Sequence, residues 1–116
     1  MKYVLPLCLL LVACSKPLAS SDFYGAMPEL ELVSTVPYNP IPDHALVESS
    51  TFRFPGSLDF GILYVYKTDK DATAWYSKLA SMPGKWILHK NLVVNIPPIA
   101  NEDRAANLEE ALRTRL

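Results

Sequence analysis

From Tyr3 to Ala13, ten of eleven residues are apolar, Pro6 being the exception, and no charge interrupts the run. Only Met1 and Lys2 stand in front of it. A charged start followed by a short apolar stretch is the pattern of an export signal. A helix crossing a hydrocarbon core of about 30 Å needs roughly 20 apolar residues, so this run is too short for a lasting span. It constrains the fold by subtraction, because the folded domain has to be built from the residues beyond it.

Leu11-Val12-Ala13-Cys14 ends the run. This tetrad resembles the lipobox of bacterial lipoproteins, in which a small residue precedes an obligatory cysteine. The resemblance covers residues 1–14. It implies that Leu11, Val12 and Ala13 are read by the signal peptidase, Ala13 fitting a cleft with no room for bulk. It also implies that Cys14 carries a diacylglyceryl group on its thiol and becomes the first residue after cleavage, often with a further acyl chain on its amino group. One chain anchors a protein marginally, whereas two or three hold it on the membrane. In that family aspartate after the cysteine tends to retain the protein at the inner membrane. Ser15 here implies the outer membrane, facing the periplasm, where the host is Gram-negative.

Subtracting residues 1–13 from the 116 leaves 103 residues with ten basic and twelve acidic side chains, a net charge of −2 with the histidines neutral. That length suits one domain. The near balance of charge argues against a nucleic-acid partner, which calls for a basic surplus. Cys8 leaves with the signal segment and the Cys14 sulfur is taken by lipid, so the resemblance leaves neither a disulfide nor a thiol nucleophile.

Residues 14–28, with Ser, Pro, Ala and Gly and little periodicity, read as a lipidated tether. At about 3.3–3.6 Å per residue it would hold the domain up to about 45 Å from the lipid. Phe23 and Tyr24 interrupt it as residues able to dock. The domain proper is expected over 29–116. Residues 29–36 alternate as a strand, with Leu30, Leu32 and Ser34 on one face. Pro37-Tyr38-Asn39-Pro40-Ile41-Pro42 excludes a helix and favours an extended loop. Thr51-Phe52-Arg53-Phe54 alternates again, and Phe60–Tyr66 suits a central strand buried on both faces. Thr68 or Asp69 caps a helix with the stripe Ala72, Trp75, Tyr76, Leu79 and Ala80. Trp86–His89 and Leu92–Ile96 form a tight hairpin about Lys90-Asn91, which needs a positive φ that Asn tolerates. Asn101 caps a last helix whose Ala105, Leu108, Leu112 and Leu116 face the core, with Arg113 and Arg115 at its negative end. The order β-β-β-α-β-β-α is an α+β fold, a mainly antiparallel sheet with two helices packed on one face. From Phe60 onward it fits a ferredoxin-like sandwich in rearranged order.

No catalytic pattern stands out. His44 and His89 sit in a loop and at a turn, with no metal-ligand spacing between them. Ser57 in Gly56-Ser57-Leu58-Asp59-Phe60-Gly61 lies between strands, whereas a nucleophile elbow requires a strand before and a helix after. Lys67, Lys70, Lys78, Lys85 and Lys90 are interleaved with Asp69 and Asp71, as on a solvated mixed surface. Tyr64, Tyr66 and Trp86, together with Tyr38 of the proline-rich loop, are the candidate binding surface, provided that they occupy the sheet face the helices leave bare. These features point to a non-enzymatic binding or assembly module without cofactor or metal, held on the membrane by its lipid and meeting a protein partner in the envelope. The alternative is a small-ligand binder with a pocket between the sheet and the proline-rich loop.

Overall fold

The computed structural model describes residues 16–37, 45–98 and 102–116. Among the described residues eight elements follow one another: α1 (Ser20–Ala26), β1 (Glu31–Pro37), β2 (Leu46–Arg53), β3 (Phe60–Tyr66), α2 (Asp69–Leu79), β4 (Lys85–His89), β5 (Leu92–Ile96) and α3 (Glu102–Arg115). The strands make one antiparallel sheet in the order β1-β2-β3-β5-β4. The α+β class and the strand–helix order from 29 onward are as the periodicities predict, with α1 added in front. β3 is central, as its unbroken apolar run requires. The link from β3 through α2 to β4 skips one strand position, and β5 fills the gap.

The placement of the helices departs from expectation. Leu63 and Val65 of β3 share one face with Leu92, Val94 and Ile96 of β5, Ile87 of β4 and Phe52 of β2. That face is covered by α3 through Ala105, Leu108 and Leu112, and by α1 through Phe23 and by Met27 just after it. Tyr64, Tyr66, Val93, Trp86 and Leu88 point the other way and are covered by α2 through Ala72, Trp75 and Tyr76. The helices thus lie on both faces, not on one, and the sandwich has three layers. The physical reason is visible in β3 and β5: each is apolar at successive positions, so each face needs its own cover.

Residues 16–28 do not form the tether expected over 14–28. Phe23 and Met27 are fully buried, and Phe23 meets Tyr24 edge-on at 5.0 Å and Phe52 at 5.6 Å between ring centres. The Asp22 carboxylate accepts from the Ala19 N–H at 2.7 Å and so closes the first turn of α1. Arg115 then fastens the exit of this segment, donating to both Glu29 carboxylate oxygens at 2.9 and 3.1 Å and to the Ala26 carbonyl at 3.0 Å. Its role is therefore a long-range clamp beyond any effect on the helix dipole.

Asn91 ties the segment down at its other end. The side chain is fully buried. Its Oδ1 accepts from Leu18 N–H at 2.8 Å, while Nδ2 donates to the Leu18 carbonyl at 2.8 Å and the Tyr66 carbonyl at 2.9 Å. The Asn91 carbonyl accepts from Tyr66 N–H at 2.9 Å. The amide thus acts as a short piece of backbone, pairing with Leu18 as a neighbouring strand would. The positive φ of the hairpin falls on Lys90, at 54°, and not on Asn91.

Local chemistry sets the remaining junctions. Thr68 caps α2 by accepting from Asp71 N–H at 3.0 Å. The β1–β2 register slips between Leu32 and Ser34, so those two residues do not share a face and Leu32 is half exposed. Gly61 has no side chain because the Phe52 ring occupies its place, with a Cβ there falling 2.4 Å from that ring.

Asn91→Ala leaves the Leu18 amide and two carbonyls without their partner, and is expected to cost about 2–4 kcal/mol. Phe23→Ala is expected to cost about 3–5 kcal/mol. Urea denaturation measures both, and a loose tether over 14–28 would make Phe23→Ala silent.

Candidate functional site

Tyr64, Tyr66 and Trp86 do come together, but not as an exposed patch. Tyr64 and Trp86 stack at 6.3 Å with their planes 23° apart, and Tyr66 is buried. All three lie beneath Trp75 and Tyr76 of α2. The indole Nε1 donates to the Met82 carbonyl at 3.1 Å. Burial, and next the neighbouring Tyr64, push the Tyr66 hydroxyl up to about 12, so it stays protonated and serves as core. The expectation failed because it required helices on one face only, and α2 occupies the face these aromatics were assigned. Tyr38-Asn39-Pro40-Ile41-Pro42, His44 and the expected helix cap Asn101 lie outside the described residues, as do Leu11, Val12, Ala13 and Cys14.

What α2 leaves bare is the other half of its face. It packs over β3, β4 and β5, and beyond it a groove of about 360 Å³ runs along β2, lined by Val33, Thr51, Arg53, Leu58 and Phe60. Leu58 is 89% exposed, Val33 48% and Phe60 37%. Val33 is available because the bulge in β1 turns it out of the alternating register. Arg53 reaches toward Glu31 at 3.8 Å across the end of the groove, an exposed pair that contributes little to stability. The result is an apolar floor with a charged rim. Leu58 and Phe60 stand in and beside the turn after β2, and the hint to them is two large apolar residues there whose apolar content serves no core.

The Ser57 hydroxyl is occupied structurally, accepting from Asp59 N–H at 2.9 Å and so tightening the turn. A second cleft, of about 230 Å³, lies between α3 and the start of β1, with Arg104 and Arg115 at its mouth. Both guanidiniums are engaged: Arg104 binds Asp59 at 2.7 Å and lies 5.0 Å from the Phe54 ring centre, and Arg115 binds Glu29. Among the described residues, no three His, Cys, Asp or Glu side chains gather as a metal-ligand set. No family model, curated protein or solved structure matches the chain.

His89 packs at the end of β4, and its Nε2 is buried with no hydrogen-bond partner among the described residues. Burial first, and then the Lys90 ammonium, hold its pKa below the ordinary value, against the opposing pull of the Leu116 backbone and Asp69. The folded state therefore binds fewer protons than the unfolded chain at mildly acidic pH. This contribution to stability is complete above the ordinary histidine pKa of about 6.5 and declines as pH falls through it. Thermal unfolding followed from about pH 7.5 to about pH 5.5 is expected to show a falling Tm that His89→Gln flattens. Equal slopes for the two proteins would refute the assignment.

Proposed function

We propose that this chain is a small lipid-anchored envelope protein, held by acyl groups on Cys14, that works as a non-enzymatic binding or assembly module. The anchor reading is carried by Leu11-Val12-Ala13-Cys14 behind a short apolar run. The binding reading is supported by one observation above the others, the groove of Val33, Thr51, Arg53, Leu58 and Phe60. An apolar side chain as exposed as Leu58 adds nothing to the core, and grouped exposed apolar residues with a polar rim mark contact surfaces. No helix among the described residues is long and apolar enough to cross a membrane, and membrane residence is assigned to the lipid.

Labelling cells with a palmitate analogue tests the anchor. The wild-type chain is expected to take up the label and fractionate with membranes, while Cys14→Ala does neither. Membrane fractionation of Cys14→Ala at wild-type level would contradict the anchor. Leu58→Asp tests the groove. With 89% of Leu58 in solvent, the change is expected to alter stability by less than about 0.5 kcal/mol while weakening crosslinking from a photoreactive residue at position 33. Unchanged crosslinking in Leu58→Asp would reject the groove as the contact.

A further inference from the structure

We infer that the Leu18–Asn91 clamp makes one end of the domain a membrane-apposed surface, so that the bilayer carrying the Cys14 lipid is itself a docking partner and the groove is displayed away from it. The inference rests on the lipid-anchor reading.

Leu18 is paired to the buried Asn91 amide by two hydrogen bonds of 2.8 Å, so the fixed part of the domain reaches Leu18. Only the four residues Cys14-Ser15-Lys16-Pro17 separate Leu18 from the lipid, which at about 3.3–3.6 Å each is at most about 14 Å. Had the tether run to Pro28, the domain would have tumbled freely at up to about 45 Å. The clamped end holds the C-terminus of β3 at Tyr66, the β4–β5 turn at Lys90 and Asn91, and the start of α2. Phe60, at the other end of β3, is six residues and about 20 Å further away. The groove lies at that far end.

The chemistry of the near end suits lipid headgroups. Lys16, Lys67, Lys70 and Lys90 are all exposed there, with Asp69 and Asp71 beside them. The Lys90 ammonium donates to the Leu116 main-chain oxygen at 2.6 Å. Asp71 is engaged with the Thr68 hydroxyl at 2.8 Å. At the far end the exposed residues include Leu58 and Phe60 of the groove, next to Pro55-Gly56-Ser57, together with Glu31, Lys78 and Lys85. Lysines near an anionic headgroup layer are attracted over roughly a Debye length, about 8 Å at physiological salt, and a strap of at most about 14 Å holds them within about two such lengths.

The test uses the full chain, processed and acylated in cells, purified, and placed in vesicles of phosphatidylethanolamine and phosphatidylglycerol with spin-labelled headgroups. A single introduced cysteine carries a fluorophore at Lys67→Cys or at Leu58→Cys, the native Cys14 sulfur being occupied. Quenching is expected to be several-fold stronger at position 67 than at 58. That difference is expected to shrink when about twelve Gly and Ser residues are inserted between Lys16 and Pro17. Equal quenching at the two positions in acylated protein would overturn the inference alone. Absence of acyl label on Cys14 would overturn the anchor reading and the inference with it.

Discussion

A single buried amide sets what this chain can do. Asn91 sits at a hairpin turn, yet its side chain is fully buried and bridges the N-terminal segment, the end of β3 and the β4–β5 connection. Three hydrogen bonds in an interior position are worth more than three at the surface, because their loss strands buried donors and acceptors. Through them Leu18 behaves as an extra edge of the sheet. α1 follows within two residues, and its Phe23 and Met27 then seal the core over Phe52. Arg115 secures the same segment from the C-terminal helix. What looks like a leash in the sequence is a structural strap.

The strap has a consequence for layering. β3 and β5 are apolar on both faces and need cover on both. α2 supplies one cover with Ala72, Trp75 and Tyr76. α3 alone presents Ala105, Leu108 and Leu112 to the other, and the aromatic cluster of Phe23, Tyr24, Phe52 and Phe54 fills the remaining area. Among the described residues no helix covers the α2-side face around Val33, Thr51 and Arg53, and that is where the groove lies. Strap and groove thus lie toward opposite ends of β3.

Much of this is legible from the residues. Thr68 ahead of Asp71 marks the start of α2, Ala105, Leu108 and Leu112 mark the buried stripe of α3, and the unbroken apolar run of Phe60–Tyr66 marks the central strand. The same run shows why the helix placement is not legible. Periodicity distinguishes a buried face from an exposed one, and a strand apolar on both faces carries no such contrast. Phe23, Met27 and Leu30 do stand at helical spacing, but the Ser, Pro and Gly around them give a stronger loop signal than so short a helix can outweigh. Asn91 misleads for a related reason. Asn at a turn ordinarily marks a left-handed backbone, and nothing local shows that a segment 73 positions away in sequence needs its amide. The candidate aromatics Tyr64, Tyr66 and Trp86 depend on the one-faced reading and move into the core with its correction. The groove escapes notice because Leu58 stands at a turn, where no periodicity flags it, and Phe60 opens a strand whose sequence suits burial on both faces.

Native-state hydrogen exchange of the Leu18 amide tests the strap most directly, because that N–H has Asn91 Oδ1 as its acceptor and lies outside every helix and strand. The account predicts exchange slowed to near the rate set by global unfolding, alongside the amides of β3 and β5. Exchange at the rate of an unstructured chain would contradict it, and would return residues 14–28 to the role of a free tether.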